Sequence, residues 1–406
     1  MKKFTNRHGC LWIIPLLFLG IFYFYPLFNI IGISFTRADT GVVNVFIDAL
    51  STPTVRKVLW FSLWQALLST LLTLLVGLPG AYLLARFKFR GKALLRALSS
   101  VPFVMPTLVV ASAFNALLGP RGWINLGLMD TFNLAGPPIK FVNTLTAILV
   151  AHIFYNTTIV LRMVGDFWSH LDSRLTQASQ VLGANRWQTW WLVTFPIISP
   201  VIAAAALLVF VFNFSSFGVI LVLGGPQFST LEVEIYYQTI SLFNLPIAAV
   251  LSVIQLATTM TLLLIYTRLS RRLSQPLSLR ASQANQLPLN TWARRIFASL
   301  VIGFMIVFFI SPLAGLAARS FTRLEPDLGQ RTFSKGLTVD FYRALSVNEN
   351  NSSFYAPPTT AVAISLQFAL VTVVFSLLIG LPAAWALTHQ KDSKFTRLLD
   401  LIFMLP

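Results

Sequence analysis

Eight long apolar runs dominate the sequence, at 10–33, 58–84, 98–118, 143–165, 197–223, 246–267, 296–318 and 361–387. Each is close to the ~20 residues that a helix needs to cross a bilayer, and a ninth run begins near Leu398. A backbone in lipid must satisfy its own hydrogen bonds, so we expect these runs to be helices. The chain is 56% hydrophobic and 11% charged, which excludes a large soluble domain. The predicted fold is all-α, a polytopic transmembrane helical bundle.

Basic residues predict the orientation of this bundle. If the odd-numbered runs cross outward, 20 of the 30 Lys and Arg residues lie on the inner side. An excess of Lys and Arg marks the cytoplasmic side, so we expect a cytoplasmic N-terminus. The net charge of +17 then follows from topology, and we expect no nucleic-acid partner.

The two halves of the sequence repeat one another. The motif Ser-Phe-Thr-Arg occurs at 34–37 and again at 320–323, and Gly-Leu-Pro occurs at 77–79 and 380–382. Phe103–Pro106 has a counterpart in Phe403–Pro406, where the sequence stops. These matches predict tandem six-span repeats in parallel orientation, the second one incomplete, and we expect the chain to be a C-terminally truncated fragment.

Residue patterns that would carry enzyme chemistry are missing. Gly91-Lys92 lacks the glycine and the hydroxyl residue of a phosphate-binding loop. The four histidines have no metal-ligand spacing, and the single cysteine, Cys10, excludes a disulfide framework. We therefore expect no catalytic residue, no metal and no cofactor in this chain. If ATP drives the protein, another subunit must bind it.

The segment Gln177–Pro200 is polar and then aromatic, and it lies between two apolar runs on the predicted cytoplasmic side. Gly183 permits a sharp turn. We predict a hairpin of two short helices, at 174–182 and 187–193.

This segment resembles the cytoplasmic coupling loop of permease subunits of binding-protein-dependent ABC importers. That signature is Glu-Ala-Ala, three residues, Gly, nine residues, Ile, any residue and Leu-Pro. Here Gln177-Ala178-Ser179, Gly183, Val193 and Phe195-Pro196 keep every spacing. The loss of the Glu carboxylate puts a salt bridge at position 177 in doubt. The ATPase-coupling residues that the resemblance implies, with apolar anchors added, are Gln177, Ala178, Ser179, Leu182, Gly183, Ala184, Trp187, Trp190, Val193 and Pro196.

The fused double permeases of ferric-iron and thiamine importers are similar to this chain in layout. The resemblance implies ATP-binding cassette ATPase subunits, an extracytoplasmic solute-binding protein and membrane lipid as partners, in a prokaryotic plasma membrane. It implies ferric iron or another small solute, such as thiamine or a polyamine.

The expected organisation is a first span and outer loop at 1–57, a first permease domain at 58–270 with its coupling loop at 166–196, a cytoplasmic linker at 271–295, a first span and outer loop of repeat two at 296–360, and the start of a second permease domain at 361–406.

Polar residues within the runs are costly and suggest a solute pathway, with hydrogen bonding between helices as the alternative. The candidates are His152, Asn156, Asn213, Ser215 and Ser216. Glu232 and Glu234 are candidates for docking on the outer side, and a solvated loop is the alternative for both. Trp187 fits either ATPase docking or the membrane interface.

A secondary transporter driven by an ion gradient is the alternative function. Such a transporter needs carboxylates inside its spans. The runs offer only Asp166 at a boundary and Asp400 in the cut-off run, so we favour the ATP-driven importer.

Overall fold

The computed structural model describes residues 13–36, 42–225, 227–273, 286–323, 336–345, 357–389 and 402. Cys10, the middle of the predicted linker and nearly all of the predicted ninth run lie outside these ranges. The α-helices are α1 (Ile13–Leu19), α2 (Tyr25–Thr36), α3 (Val42–Ser51), α4 (Pro53–Arg86), α5 (Lys92–Val104), α6 (Thr107–Leu118), α7 (Trp123–Phe132), α8 (Leu145–His170), α9 (Ser173–Val181), α10 (Arg186–Thr189), α11 (Phe195–Phe214), α12 (Leu231–Tyr236), α13 (Leu245–Leu273), α14 (Trp292–Ser320), α15 (Asp340–Ala344) and α16 (Pro358–His389).

Wider π-helical turns interrupt or extend these helices at Gly20–Phe24, Trp190–Thr194, Ile220–Gly224 and Tyr237–Ser241. Strand in the described ranges amounts to four two-residue pieces: β1 (Phe87–Lys88), β2 (Leu287–Pro288), β3 (Thr322–Arg323) and β4 (Gly336–Leu337). The first two pair in parallel and the last two antiparallel. The prediction of an all-α bundle is confirmed.

Within the described ranges, 6 helices are long and apolar enough to cross a membrane, or up to 7 if a bent pair is one span. The six are Pro53–Arg86, Leu145–His170, Arg186–Phe214, Leu245–Ser270, Trp292–Ser320 and Pro358–Trp385. The first predicted run is also helical, but its apolar part, Ile13–Asn29, is shorter than these.

Two predicted spans are not continuous helices. The run 98–118 bends by 110° between α5 and α6, because Met105 takes an extended conformation before Pro106, as residues before proline prefer. The run 197–223 also breaks, since α11 ends at Phe214 and a second helical piece leads into the turn Ile220–Gly224.

Residues 46–318 form one compact unit, in which α4 packs along α8. Small residues allow the close approach: a Cβ added to Gly77 would lie 2.8 Å from Val160 Cβ. The helix α14, predicted to open the second repeat, packs inside this unit. Its Met305 and Phe309 are buried, and Trp123 Nε1 donates to its Gly315 carbonyl at 3.0 Å.

Residues 1–45 and 319–406 form the other unit. Here α1 contacts α16, with Phe18 and Phe22 lining a cleft opposite Phe375 and Ala383. The helix at the start of the described chain thus packs on the helix of the apolar run 361–387.

Candidate functional site

A capped helix forms the first arm of the hairpin, defined here as residues 172–189. Asp172 caps α9 by accepting a hydrogen bond from the Arg174 N–H at 2.9 Å. Gly183 has φ +91°, in the left-handed region that favours glycine. This conformation lets the Gly183 N–H bond the Gln180 carbonyl, and the Ala184 N–H bond that of Ser179, both at 3.0 Å. The turn predicted at Gly183 is therefore present.

The second arm begins at a capping box. Asn185 Oδ1 accepts from the Gln188 N–H at 2.8 Å, and Gln188 Oε1 accepts from the Asn185 N–H at 2.9 Å. Ser179 and Thr189 join the two arms through their hydroxyls at 3.0 Å. The predicted separate helix at 187–193 is wrong, because Arg186–Phe214 runs as one span through the π-helical turn.

The tip of the hairpin is apolar and exposed. Val181 and Leu182 are 87% and 88% exposed, and Trp187 is 69% exposed. The other coupling candidates divide into exposed residues (Gln177, Ala178, Gly183 and Pro196) and half-buried ones (Ser179, Ala184 and Val193). Trp190, expected as a further anchor, instead packs against Trp168, with ring centroids 5.5 Å apart.

An aromatic row of Trp187, Trp191 and Phe195 runs from the second arm into the span that follows. Their successive ring centroids are 5.7 and 5.1 Å apart. Because the row lies where the hairpin turns into an apolar span, it is a surface of the kind that sits at membrane interfaces.

Buried polar side chains from α4, α8 and the end of α11 form a second feature, which we call the polar seam. His152 lies at its centre and is 2% exposed. Its Nδ1 lies 3.0 Å from Ser69 Oγ and its Nε2 lies 2.8 Å from Ser216 Oγ. One histidine thus joins α4 to the segment that follows α11.

Asn213 is the second junction of the polar seam. Its Oδ1 accepts from Asn156 Nδ2 at 2.7 Å, and its carbonyl accepts from Gln65 Nε2 at 2.8 Å. Its own Nδ2 donates to Thr70 Oγ1 at 3.4 Å. Gln65 Oε1 is buried and has no hydrogen-bond partner.

Four of the five pathway candidates therefore form two separate hydrogen-bonded pairs within the polar seam, His152 with Ser216 and Asn156 with Asn213. Ser215 ends α11, where its N–H donates to the Val211 carbonyl at 2.9 Å. Sequence reasoning missed the α4 residues of the polar seam, although their spacing of three or four residues places them on one helical face. They are Ser62, Gln65, Ser69 and Thr73.

Glu232 and Glu234 lie on the short helix α12, so their interpretation as a solvated loop is wrong. Glu232 accepts from Gln255 Nε2 at 2.6 Å. Glu234, which is 8% exposed, accepts from Gln238 Nε2 at 2.8 Å and from Ser229 Oγ at 3.1 Å. Residues two apart on a helix face different directions, so these carboxylates do not form one acidic pair.

Stability should depend on pH through Glu232, which lies between the candidate spans. Burial raises the pKa of this carboxyl to about 7, against an opposing hydrogen bond from Gln255. The folded chain then binds more protons than the unfolded chain between about pH 4.5 and 7, so stability falls as pH rises through that window.

We expect Glu232→Gln to flatten this fall and to raise the Tm at pH 8 by a few degrees. Melting curves of the detergent-solubilised chain at pH 5, 6, 7 and 8 measure the effect. Asp130→Asn, at an exposed carboxylate on α7, is the control and should keep the wild-type slope. An equal slope in Glu232→Gln would contradict the assignment.

Among the described residues, no group of three His, Cys, Asp or Glu side chains could hold a metal ion. The described part of the chain is thus an apolar helical bundle with an exposed hairpin. Residues 77–275 match the model of the family described as "Binding-protein-dependent transport system inner membrane component". Residues 77–275, just under half of the chain, are thus a domain of that family, and the match gives no support to the alternative of an ion-gradient-driven transporter.

Curated relatives extend the match to more of the chain. The thiamine transport system permease protein ThiP of Haemophilus influenzae is 30% identical over 84% of this chain and 59% of its own length. ThiP of Escherichia coli is 28% identical over 66% of this chain and 49% of its own length. The putative 2-aminoethylphosphonate transport system permease protein PhnU of Salmonella paratyphi A is 25% identical over 65% of this chain and 92% of its own length. The chain thus spans about half the length of the thiamine permeases it matches.

A solved bacterial ABC transporter that imports the acidic polysaccharide alginate has a similar fold. The TM-score is 0.55 at 18% identity, over 66% of this chain and 96% of the solved one.

Proposed function

We propose that this chain is the solute-pathway subunit of an ATP-driven importer and that its hairpin docks on a separate ATPase subunit. The exposed apolar tip carries this proposal. Two aliphatic side chains, Val181 and Leu182, are almost fully exposed on a turn that two helix caps and the Ser179–Thr189 contact hold in one conformation. A rigid apolar knob of this kind fits a groove on a partner protein.

The neighbouring aromatic row has a different role in this proposal. Trp187, Trp191 and Phe195 continue directly into the span, so we assign the row to the membrane interface. The knob at the tip then lies further from the bilayer, on the cytoplasmic side together with the N-terminus.

Thiamine is the proposed solute. The thiamine permeases match up to 84% of this chain, and a 2-aminoethylphosphonate permease also matches, at lower identity. Ferric iron, expected from the sequence, and polyamines have no support among these relatives. An extracytoplasmic solute-binding protein would deliver the solute to the outer side. Glu232, the less buried of the two carboxylates on α12, is the proposed docking residue there, whereas Glu234, at 8% exposure, is too buried to take part.

The polar seam is the proposed lining of the solute pathway. Its side chains are buried among three helices that must separate if a path opens between them. Hydrogen bonds such as Asn156–Asn213 and His152–Ser216 would then exchange their partners for the solute or for water. The unpaired Gln65 Oε1 offers an acceptor that needs no bond to be broken.

Uptake of labelled thiamine by proteoliposomes tests the function. The chain is co-expressed with its partner subunits and supplied with the binding protein. Uptake should require ATP, and ATP-independent uptake would contradict the proposal. ATP-dependent uptake of another class of solute, without uptake of thiamine, would reject thiamine as the solute and leave the proposed importer function intact.

In the same assay, Asn156→Leu should lower uptake about tenfold, since it leaves Asn213 Oδ1 buried without its donor. Thr157→Val is the matched control: its neighbouring, equally buried hydroxyl bonds only the Ile153 carbonyl of its own helix. A changed KM for thiamine at equal protein amount would support the pathway role, and equal loss in both variants would contradict it.

A further inference from the structure

A basic cleft opens between α5 and the last turns of α8. Its volume is about 260 Å³, and its polar wall consists of Arg96, Ser99, Ser100, Arg162 and Asp166. The cleft lies wholly within the unit of residues 46–318. Asp166 is one helical turn from the end of α8, so the cleft is at the same end of the bundle as the hairpin.

The charges in the cleft do not balance. Arg96 Nη2 bonds Asp166 Oδ1 at 2.9 Å, and both side chains are about half exposed. Arg162 Nη2 donates instead to the neutral Ser100 hydroxyl at 2.8 Å. In the part of the chain that the structure describes, Arg162 has no carboxylate partner, so the cleft keeps one net positive charge.

The chemistry of the wall suits a phosphate group. Each guanidinium has five N–H donors in a planar fork, a geometry that matches phosphate oxygens. The hydroxyls of Ser99 and Ser100 both donate to the Arg96 carbonyl at 2.9 Å. These bonds fix the helix turn that presents the two serines. Each guanidinium uses one Nη2 within the cleft, on Asp166 or on Ser100, and keeps its other N–H donors for a ligand.

An apolar surface continues from the cleft along α5. Ala97 and Ser100 line the cleft, and Val101 and Val104 follow them at helical spacing. Val101 is 40% exposed and Val104 is 81% exposed. A ligand with a phosphate at one end and hydrocarbon at the other would match both parts.

We propose that this cleft binds the phosphate headgroup of an anionic phospholipid, whose acyl chains lie along α5. Basic pockets between transmembrane helices bind such headgroups on the cytoplasmic side. The assignment to the cytoplasmic leaflet rests on the proposed position of the hairpin, whereas binding itself rests only on the cleft.

Native mass spectrometry of the detergent-solubilised chain, titrated with phosphatidylglycerol or phosphatidylcholine, tests the site. Phosphatidylglycerol should bind in preference. Arg96→Gln and Arg162→Gln should each weaken it about fivefold. Arg121→Gln, which removes a charge from the loop between α6 and α7, is the control and should leave affinity unchanged.

Asp166→Asn gives the sharpest result, because it removes the acid that competes for Arg96. It should strengthen phosphatidylglycerol binding, whereas a purely structural role of the Arg96–Asp166 pair predicts weakening. Equal binding of both lipids, an unchanged Arg162→Gln variant or weakening in Asp166→Asn would overturn the proposal. Full competition by soluble glycerol phosphate would assign the cleft to a free phosphate instead.

This measurement needs neither ATP nor thiamine. A chain that binds the lipid but imports no solute would overturn the proposed function and leave this site intact.

Discussion

Gly183→Val is expected to lower ATP-driven uptake at least tenfold, while the chain still folds and inserts. Gly183 has φ +91°, and a Cβ built there meets no atom within 4 Å. A side chain at position 183 therefore has room, and its free-energy cost comes from the backbone conformation. A side chain in the left-handed region costs roughly 1–2 kcal/mol, and more when it is β-branched.

The hairpin would relieve that strain by changing the turn, which breaks the bonds from the Gly183 and Ala184 N–H groups. The apolar tip would then no longer be held against the second arm. ATP hydrolysis by the partner subunits should continue without uptake, because the spans no longer follow the ATPase.

Two further variants separate this explanation from a general effect of valine. Gly183→Asn should retain most of the uptake, since asparagine tolerates positive φ. Gly303→Val on α14, where a Cβ also meets nothing within 4 Å, should behave as the wild type. Uptake and ATPase rates in the same proteoliposomes measure the outcome, and equal activity of Gly183→Val and Gly183→Asn would refute the strain argument.

Gly77→Leu is expected to prevent α4 from packing on α8. A Cβ at Gly77 would lie 2.8 Å from both Cβ and Cγ1 of Val160. Val160 Cβ is fixed to its backbone, so the helices themselves must move apart. Overpacking of this kind costs roughly 1–3 kcal/mol, and the larger leucine should leave little monodisperse protein after solubilisation.

The repeat supplies a matched control. Gly380 occupies the same Gly-Leu-Pro motif in α16, but a Cβ there meets nothing within 4 Å. Gly380→Leu should therefore keep the wild-type melting temperature. Size-exclusion profiles after stepwise heating compare the two variants, and equal losses would show that the motif, rather than the contact with Val160, sets the cost.

Hydropathy predicted which segments are helical, but it could not predict where helices break. Pro79, Pro200 and Pro312 all lie inside continuous helices, because neighbouring helices in a membrane protein can satisfy the freed backbone groups. Pro106 instead begins a new helix after a 110° bend. Tertiary packing decides between these outcomes, so an apolar window does not distinguish them.

The candidate site was predictable where a residue type has one strong conformational reason. Gly183 is such a residue, and so is the pair His152 and Asn156, which one turn of helix places on one face. The polar face of α4 was harder to see. Thr70 and Thr73 donate to carbonyls of their own helix, as hydroxyl residues in apolar helices commonly do, so their presence did not by itself indicate contacts between helices.

The packing of α14 also determines when the unit of residues 46–318 can finish folding as the chain is synthesised. The surface around Gly80 on α4 is covered by Met305, whose sulfur would lie 3.1 Å from an added Cβ. Met305 emerges from the ribosome only after α13 and the whole segment up to Trp292. Until then this surface of α4 lacks the cover that Met305 gives it, so the unit of residues 46–318 can close only after α14 is made.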